Sequence, residues 1–298
     1  MNRLFRYLMI PAMVLLLAAC QNSTADSGSP NKEAAEEEKL SVNEVIQKTQ
    51  EASQQAKGQT LQVEGKQDFN LEAEGQSQGI TQSFDMNMEL TKDPAAVHLT
   101  GTMKSAGETG EMEAYQVGDE FYQSMDGGTT WLKSEGADLN QFGGDQAQNP
   151  SKALQKLEEL VSKFQGDKND MFNMKETEDQ YVITLNVDKD LKQVKDLYMK
   201  QLKGSAVPAL KQAGLPVKED EVKLNNIKQV VYIDKKSFEQ EKVDQKTEIE
   251  IPLDDGTTSG MITAKQEMTI TLKGEYKGTI EVPQEVKDNA QTAPSPEQ

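Results

Sequence analysis

Residue types that carry thiol and imidazole chemistry are nearly missing from this chain, whose 298 residues include one cysteine and one histidine. One cysteine excludes a disulfide-stabilised scaffold, and one histidine cannot complete a zinc site. Basic residues are few beside acidic ones, 32 against 50, and the resulting net charge of −18 excludes a protein that binds the nucleic-acid backbone. Apolar residues make up 35%, which excludes a protein with many membrane spans.

A short apolar run lies at the amino terminus, where Arg3 and Arg6 precede Leu8–Leu17 and the sequence LAAC ends at Cys20. The run is too short to cross about 30 Å of hydrocarbon as a helix, so it is typical of a signal peptide. LAAC resembles the bacterial lipobox, whose cysteine thiol receives a diacylglyceryl group. We predict a signal peptide over 1–19 and lipid attachment at Cys20. The alternative is an ordinary secretory signal followed by a chance cysteine.

The predicted lipid at Cys20 is the tether to the membrane, because two acyl chains at about 0.8 kcal/mol per buried CH₂ anchor a protein stably. Loss of the two arginines with the signal peptide makes the net charge more negative still, so charge alone would not hold the protein on anionic lipid. Residues 20–39 and 288–298 are polar and poor in large apolar side chains, which is typical of a disordered linker and tail. A single domain is predicted over 40–287.

Three segments of that domain have the apolar spacing of amphipathic helices. Ser41 and Glu44 form a capping box at the start of 41–57, and helical spacing returns over 151–164 and 188–202. We predict that these helices pack against a sheet.

Most of the remaining domain alternates between apolar and polar residues, as in Leu61–Ala73. This period is typical of antiparallel strands with one apolar and one solvent-facing side. A last short strand is predicted to end near Val282. The sequence therefore predicts an α+β fold: a curved, mainly antiparallel sheet of about nine or ten strands, forming an unclosed β-barrel with helices covering its concave face.

Several pieces of this pattern carry a family likeness: Tyr115–Tyr122, Trp131-Leu132-Lys133, Tyr181–Leu185, Val231–Lys236 and Tyr276–Val286. Together they resemble the bacterial LolA/LppX-type lipoprotein fold, the outer-membrane lipoprotein carrier-like fold, and more closely a family of uncharacterised lipoproteins of Gram-positive bacteria. The resemblance implies a hydrophobic groove that holds a lipid or a lipoprotein acyl chain, and it implies no catalytic residues.

The apolar strand faces supply candidate ligand-binding residues, which we predict to point inward: Phe69, Phe84, Met86, Met88, Leu99, Met103, Met112 and Met268. Met125 is predicted to point inward with the other methionines. Methionine adapts to many apolar partners, so these residues are predicted either to line a ligand site or to fill gaps in a curved core. Some polar or small residues fall on the same inward faces: Gly65, Gln67, Gln245, Thr247 and Gln266.

Other motifs predict structure rather than chemistry. Five residues match the S-x-D-x-G-x-T-W Asp-box pattern of sialidases, a motif that stabilises a hairpin: Ser124, Asp126, Gly128, Thr130 and Trp131. His98 is predicted to be a solvated side chain on the polar face of its strand. Acidic runs lack EF-hand spacing and no glycine-rich phosphate loop occurs, so we expect no metal and no cofactor.

These features predict a non-enzymatic, lipid-anchored binding protein outside the cytoplasm that shelters a lipid or other apolar ligand between sheet and helices. The alternative is a structural or regulatory interaction module of the cell envelope, with a protein partner and no small-molecule ligand. A hydrolase is the weakest hypothesis, because it would require paired carboxylates that counting alone cannot identify.

Overall fold

The computed structural model describes residues 39–73, 75–135, 172–187, 214–254, 256 and 259–292, together with positions 199, 202–203, 207 and 210–211. The helices with described bounds are α1 (Val42–Gln55), α2 (Gln284–Asn289) and a 3₁₀ turn over Glu219–Glu221. Positions 199, 202–203, 207 and 210–211 are helical as well. Its strands are β1 (Gly58–Ala73), β2 (Gln76–Lys92), β3 (Ala95–Ser105), β4 (Glu108–Val117), β5 (Glu120–Ser124), β6 (Leu132–Glu135), β7 (Phe172–Glu176), β8 (Gln180–Val187), β9 (Lys223–Asp234), β10 (Gln240–Asp254), β11 (Ser259–Glu275) and β12 (Gln291–Thr292).

The strands of the described chain form one unclosed sheet in the order β12-β6-β5-β4-β3-β2-β1-β11-β10-β9-β8-β7. Neighbouring strands are antiparallel except β12, which lies parallel to β6. The predicted fold class is confirmed. The sheet has 12 strands rather than about nine or ten, because edge strands as short as β12 are too brief to show an alternating pattern.

Helix α1 begins where the capping box predicts. The Glu44 backbone N–H donates to Ser41 Oγ at 3.3 Å, and the Ser41 backbone N–H donates to Glu44 Oε2 at 2.8 Å. Val45 and Ile46 are fully buried among apolar side chains of the sheet. The predicted helix over 151–164 lies outside the described residues. Of the predicted helix over 188–202, only positions 199 and 202 are described, and both are helical. None of the helices in the described part of the chain is long and apolar enough to cross a membrane.

The sheet has two unlike faces, as the alternating pattern predicts. One face, here called the inner face, carries the main apolar core together with α1 and the side chains of Leu202, Val207 and Leu210. The other, the outer face, carries alternating charges that form ion pairs, such as Lys246 with Glu267 at 2.6 Å. The inner face therefore carries the larger of the two apolar clusters of the described sheet.

The end of the chain packs on the outer face of β3–β6. There it forms a small second cluster of Ala96, Tyr115, Tyr122, Trp131, Ile280, Val282 and Val286. The predicted strand ending near Val282 is wrong, since residues 276–283 form no strand and lead into α2. The chain then continues into β12, where the Gln291 backbone N–H donates to the Trp131 carbonyl at 2.9 Å. Apolar side-chain contacts, rather than a long series of backbone hydrogen bonds between strands, hold this C-terminal segment on the sheet.

Candidate functional site

The structure brings all the predicted ligand-binding residues together on the inner face. Six belong to the buried core itself: Phe84, Met86, Met88, Leu99, Met112 and Met268. Phe69 and Met103 are partly buried and pack against that core. These side chains come from five consecutive strands of the sheet, in the order β4, β3, β2, β1 and β11. Their assignment to ligand binding remains a prediction, whereas their common location is an observed feature.

Gly65 explains how a large ring fits into this surface. The residue lies directly opposite Phe84 in the β1–β2 pairing. A Cβ atom at Gly65 would lie 2.2 Å from Phe84 Cζ and 2.9 Å from the Glu267 carbonyl oxygen. The Phe84 ring therefore lies over the glycine backbone and occupies the space of the missing side chain. A glycine that looked out of place on an apolar strand face is thus a packing requirement.

A row of polar side chains crosses the middle of the inner face, and we call it the glutamine band. Its members are Gln82 on β2, Gln67 on β1, Gln266 on β11, Thr247 and Gln245 on β10, and Gln229 on β9. The strand register makes them neighbours: Gln67 lies opposite both Gln82 and Gln266, and Gln245 lies opposite Gln229. The band separates two apolar regions of the same face.

Hydrogen bonds connect parts of the glutamine band to hydroxyl groups. Gln245 Nε2 donates to Thr247 Oγ1 at 3.3 Å, and Gln82 Nε2 donates to Ser105 Oγ at 3.4 Å. The side-chain Oε1 of Gln229 is buried, and it accepts no hydrogen bond from the described residues. A buried carbonyl oxygen without a donor loses the hydration energy that it would have in water.

On β1 and β2, no charged side chain occupies the inward positions around this band. From Leu61 to Leu71 on β1 and from Ile80 to Leu90 on β2, every alternate inward residue is apolar, glycine or glutamine. The carboxylates and lysines of these strands point to the outer face, as Lys66 and Asp68 do in their 2.9 Å ion pair. The inner face can thus contact apolar groups and exchange neutral hydrogen bonds, but the described part of these two strands offers no counter-ion.

The predicted hairpin motif forms a closed set of hydrogen bonds between β5 and β6. Asp126 Oδ1 accepts from the backbone N–H groups of Thr129 at 3.1 Å and Thr130 at 2.8 Å. Ser124 Oγ accepts from the Gly128 backbone N–H at 2.9 Å, and Trp131 Nε1 donates to the Gly128 carbonyl at 3.0 Å. These contacts support a structural role for the motif.

Met125 occupies an exposed position in this hairpin, with 44% of its surface accessible. The prediction that it points inward is wrong, because β5 ends at Ser124 and the alternation of the strand stops there. Met125 is therefore a useful reference methionine that lies away from the inner face.

Backbone N–H groups and the hydroxyl of Thr130, with help from Ser124 and Thr129, lower the pKa of Asp126 to about 2. A carboxyl whose pKa is depressed in the folded state stabilises that state above its ordinary pKa and loses the contribution as pH falls through the folded value. We expect the difference in melting temperature between the native chain and Asp126→Asn to be constant above about pH 5 and to shrink between about pH 4 and pH 2. Thermal unfolding followed by circular dichroism measures this, and a difference independent of pH would contradict it.

His98 lies on the outer face, opposite Glu89 and Tyr115 in the strand register. Its Nδ1 is 3.2 Å from Glu89 Oε2, and its Nε2 is 3.0 Å from Glu113 Oε1. The imidazole also stacks on the Tyr115 ring with centroids 4.3 Å apart. His98 lies on the polar face as predicted, and its side chain is only partly exposed because residues on both neighbouring strands pack against it. Its contacts hold three strands together on the face opposite the candidate ligand site.

The sequence pattern could have identified Gln229 and did not. Gln229 alternates with Ile227, Val231 and Ile233, all of them buried, so the period places its side chain inward. What the pattern could not supply is the pairing of β9 with β10, which brings Gln229 beside Gln245.

Comparisons with solved structures find similarity at low sequence identity. The chain is similar to a DUF1329 family protein from Desulfovibrio piger ATCC 29098, with 9% identity and a TM-score of 0.27 over 80% of this chain and 93% of that one. It is similar to a LolA superfamily protein from Nitrosomonas europaea, with 8% identity and a TM-score of 0.23 over 80% and 96% of the two chains. A β-barrel-like protein of the DUF1849 family from Brucella abortus aligns at 8% identity with a TM-score of 0.20, over 71% and 98%.

Among proteins with curated descriptions, none matches this chain. A family model does match, over residues 41–291, which takes in every described strand of the sheet except the last residue of β12. The chain therefore belongs to the family of unknown function DUF6612.

Proposed function

We propose that this protein is a non-catalytic, lipid-anchored binding protein on the extracytoplasmic face of a cell membrane, where it holds a lipid or another apolar ligand on the inner face of its sheet. The observation that carries the proposal is the inner face itself: the apolar side of an unclosed sheet, rich in methionine, whose described inward positions on β1 and β2 carry no charged side chain. Methionine is unbranched and polarizable, so a surface lined with it adapts to flexible apolar chains. No other large apolar surface occurs in the described sheet.

The chemistry of the described side chains supports binding rather than catalysis. Where the pKa of a carboxyl group is lowered, the causes are ion pairs and turn hydrogen bonds, as at Glu120 beside Lys133. In the described ranges, no three His, Cys, Asp or Glu side chains lie close enough to hold a metal ion. The ion pairs of the central strands, such as Lys66 with Asp68 and Lys246 with Glu267, lie on the outer face.

The anchoring part of the proposal comes from the sequence. The LAAC run ending at Cys20 provides the only thiol of the chain. The polar linker that follows it would span about 25 Å at about 5–6 Å times the square root of its length. This reach lets the domain stand clear of the lipid surface while it stays close enough to exchange an apolar ligand with the membrane. The resemblance to Gram-positive lipoproteins suggests that this membrane is the single cell membrane of such a bacterium.

The binding proposal is tested with a matched pair of substitutions, Met103→Glu and Met125→Glu. Met103 is partly buried against the inner core, opposite Phe84, whereas Met125 is exposed in the hairpin. A carboxylate on an apolar contact surface must lose hydration when a ligand covers it, so we expect Met103→Glu to weaken binding of an apolar probe by at least about tenfold. Met125→Glu should leave the affinity unchanged.

The probe is N-phenyl-1-naphthylamine, whose fluorescence rises in apolar surroundings. The full chain is used with Cys20→Ala in every variant, so that no attached acyl chain competes for the inner face. Circular dichroism confirms that each variant folds. Absence of binding by the unsubstituted inner face, together with one dominant protein partner in cell crosslinking, would favour the interaction-module alternative and end the ligand proposal.

A further inference from the structure

The only imidazole of the chain lies between two carboxylates on the outer face of the sheet. His98 on β3 has its Nδ1 at 3.2 Å from Glu89 Oε2 on β2 and its Nε2 at 3.0 Å from Glu113 Oε1 on β4. A carboxylate can only accept hydrogen bonds, and a neutral imidazole has a single N–H group to donate. Only the doubly protonated ring can therefore donate to both carboxylates at once.

Glu113 connects the imidazole to an aromatic side chain. The same Oε1 atom accepts a hydrogen bond from the Tyr115 hydroxyl at 2.7 Å. The Tyr115 ring also stacks on the imidazole, with centroids 4.3 Å apart and an angle of 9° between the ring planes. A change at His98 that displaces Glu113 therefore alters both the stacking and the hydrogen bond of Tyr115.

Tyr115 in turn belongs to the surface that holds the C-terminal segment. It lies 5.8 Å from the Trp131 ring, between centroids, and both rings pack in the second cluster with Ile280, Val282 and Val286. In the described residues, the only strand pairing between this segment and the sheet is that of the two-residue strand β12 with β6. The attachment of the segment therefore depends on where the Tyr115 ring lies.

The groups that face His98 from the elements packed around it are acidic or neutral. They are Glu89 on β2, and Glu113 and Tyr115 on β4. Burial and the hydrogen bond to Glu113 raise the pKa of Tyr115, so its phenol adds no charge. In the C-terminal segment, burial and the nearby charge of Glu89 raise the pKa of Tyr276. A neutral imidazole would leave these two carboxylates without a cation among the facing groups.

We propose that His98 is a pH-sensitive clamp: the protonated ring joins Glu89 to Glu113 and holds the C-terminal segment on the outer face, and loss of the proton to solvent loosens that segment. A cation that gains two acceptors on folding stabilises the folded contacts at low pH, and the contribution is lost as pH rises. Histidine is the side chain whose charge ordinarily changes between about pH 5 and pH 8. The clamp lies on the face opposite the candidate ligand site and needs no ligand.

Trp131 reports on the clamp, because it is the only tryptophan of the chain and lies in the second cluster. Its exposure is measured by quenching its fluorescence with acrylamide, a neutral quencher, in the full chain carrying Cys20→Ala. We expect the quenching constant to be at least about twofold larger at about pH 8 than at about pH 6. Both pH values lie well above the ordinary pKa of a carboxyl group, about 4.

Two substitutions at His98 test whether the charge of the ring is responsible. His98→Gln carries no charge, so its quenching constant should be the same at both pH values and as large as that of the native chain at the higher one. His98→Arg places a planar, permanently charged group between the two carboxylates, so its quenching constant should stay low at both. The matched control is Glu64→Gln, a change on the outer face of β1 that should keep the native pH dependence.

Equal quenching of the native chain at the two pH values would overturn the clamp, and so would a pH dependence that persists in a folded His98→Gln variant. Circular dichroism checks that each variant folds. The comparison within the native chain needs no substitution at its only histidine, so it decides the matter even if both His98 variants fail to fold. Binding of an apolar probe has no part in this measurement, so failure of the clamp and failure of the proposed function are seen separately.

Discussion

Substitution of Cys20 by alanine is expected to abolish fatty-acid labelling of the protein completely. The predicted attachment of the diacylglyceryl group needs a thiol, and Cys20 is the only cysteine in the chain. Alanine has a similar size and no nucleophilic atom, so no residual labelling should remain. Cells grown with an alkyne-bearing palmitate, followed by click detection of the immunoprecipitated protein, give the measurement.

The control for this experiment is Asn22→Ala, which changes the adjacent linker and leaves the thiol in place. It should be labelled to the same extent as the native chain. An unlabelled native chain would contradict the lipobox interpretation and favour an ordinary secretory signal. Labelling of the Cys20→Ala variant would contradict it as well, since the lipid would then be attached elsewhere.

The second large effect is expected from Trp131→Ala, which should lower the free energy of unfolding by about 3–5 kcal/mol, the usual loss when a buried tryptophan is truncated to alanine. Trp131 is 6% exposed and lies 5.8 Å from the Tyr115 ring, between centroids. It also contacts the cluster that holds Val282 and Val286 on the outer face. Its removal therefore loosens both the hairpin and the C-terminal segment. Chemical denaturation followed by circular dichroism measures the change.

Trp131→Phe separates packing from hydrogen bonding. Phenylalanine keeps most of the ring contacts and loses the Nε1 bond to the Gly128 carbonyl, so a smaller loss of about 1 kcal/mol is expected for the bond, in addition to a modest loss of packing. If Trp131→Ala costs less than about 1 kcal/mol, the second cluster does not stabilise the fold. The binding of an apolar probe should be nearly unchanged in Trp131→Phe, because Trp131 lies on the face opposite Met268.

The sequence was sufficient to predict the parts of the fold that depend on local periodicity. The capping box at Ser41 located the first helix, and the alternation over Leu61–Ala73 located one face of the first strand. The same alternation placed Met86, Met88 and Met268 on a common surface before any pairing was known. The helix and the strand faces could be predicted because side chains repeat every 3.6 residues in a helix and every two residues in a strand, and the order of apolar and polar residues shows these periods.

Contacts between strands could not be predicted in this way. The long pairing of β1 with β11 joins the two ends of the domain, and nothing in either segment specifies the other. The enclosure of His98 by Glu89 and Glu113 depends on the register of three strands, as does the position of Gln229 beside Gln245. The segment around Val282 resembles a strand in sequence because it is short and contains apolar residues. A segment of this kind can also pack on a sheet without regular secondary structure, as this one does.

The central claim is that the ligand lies on the inner face, and photoaffinity labelling tests it most directly. A monoacylglycerol with a diazirine in its acyl chain is irradiated with the full chain carrying Cys20→Ala, and the labelled peptides are identified by mass spectrometry. The account predicts adducts on inner-face residues of β2 and β11, above all Met86, Met88 and Met268, with loss of labelling in Met103→Glu. Adducts confined to the outer face, or labelling equal in native and Met103→Glu chains, would contradict it.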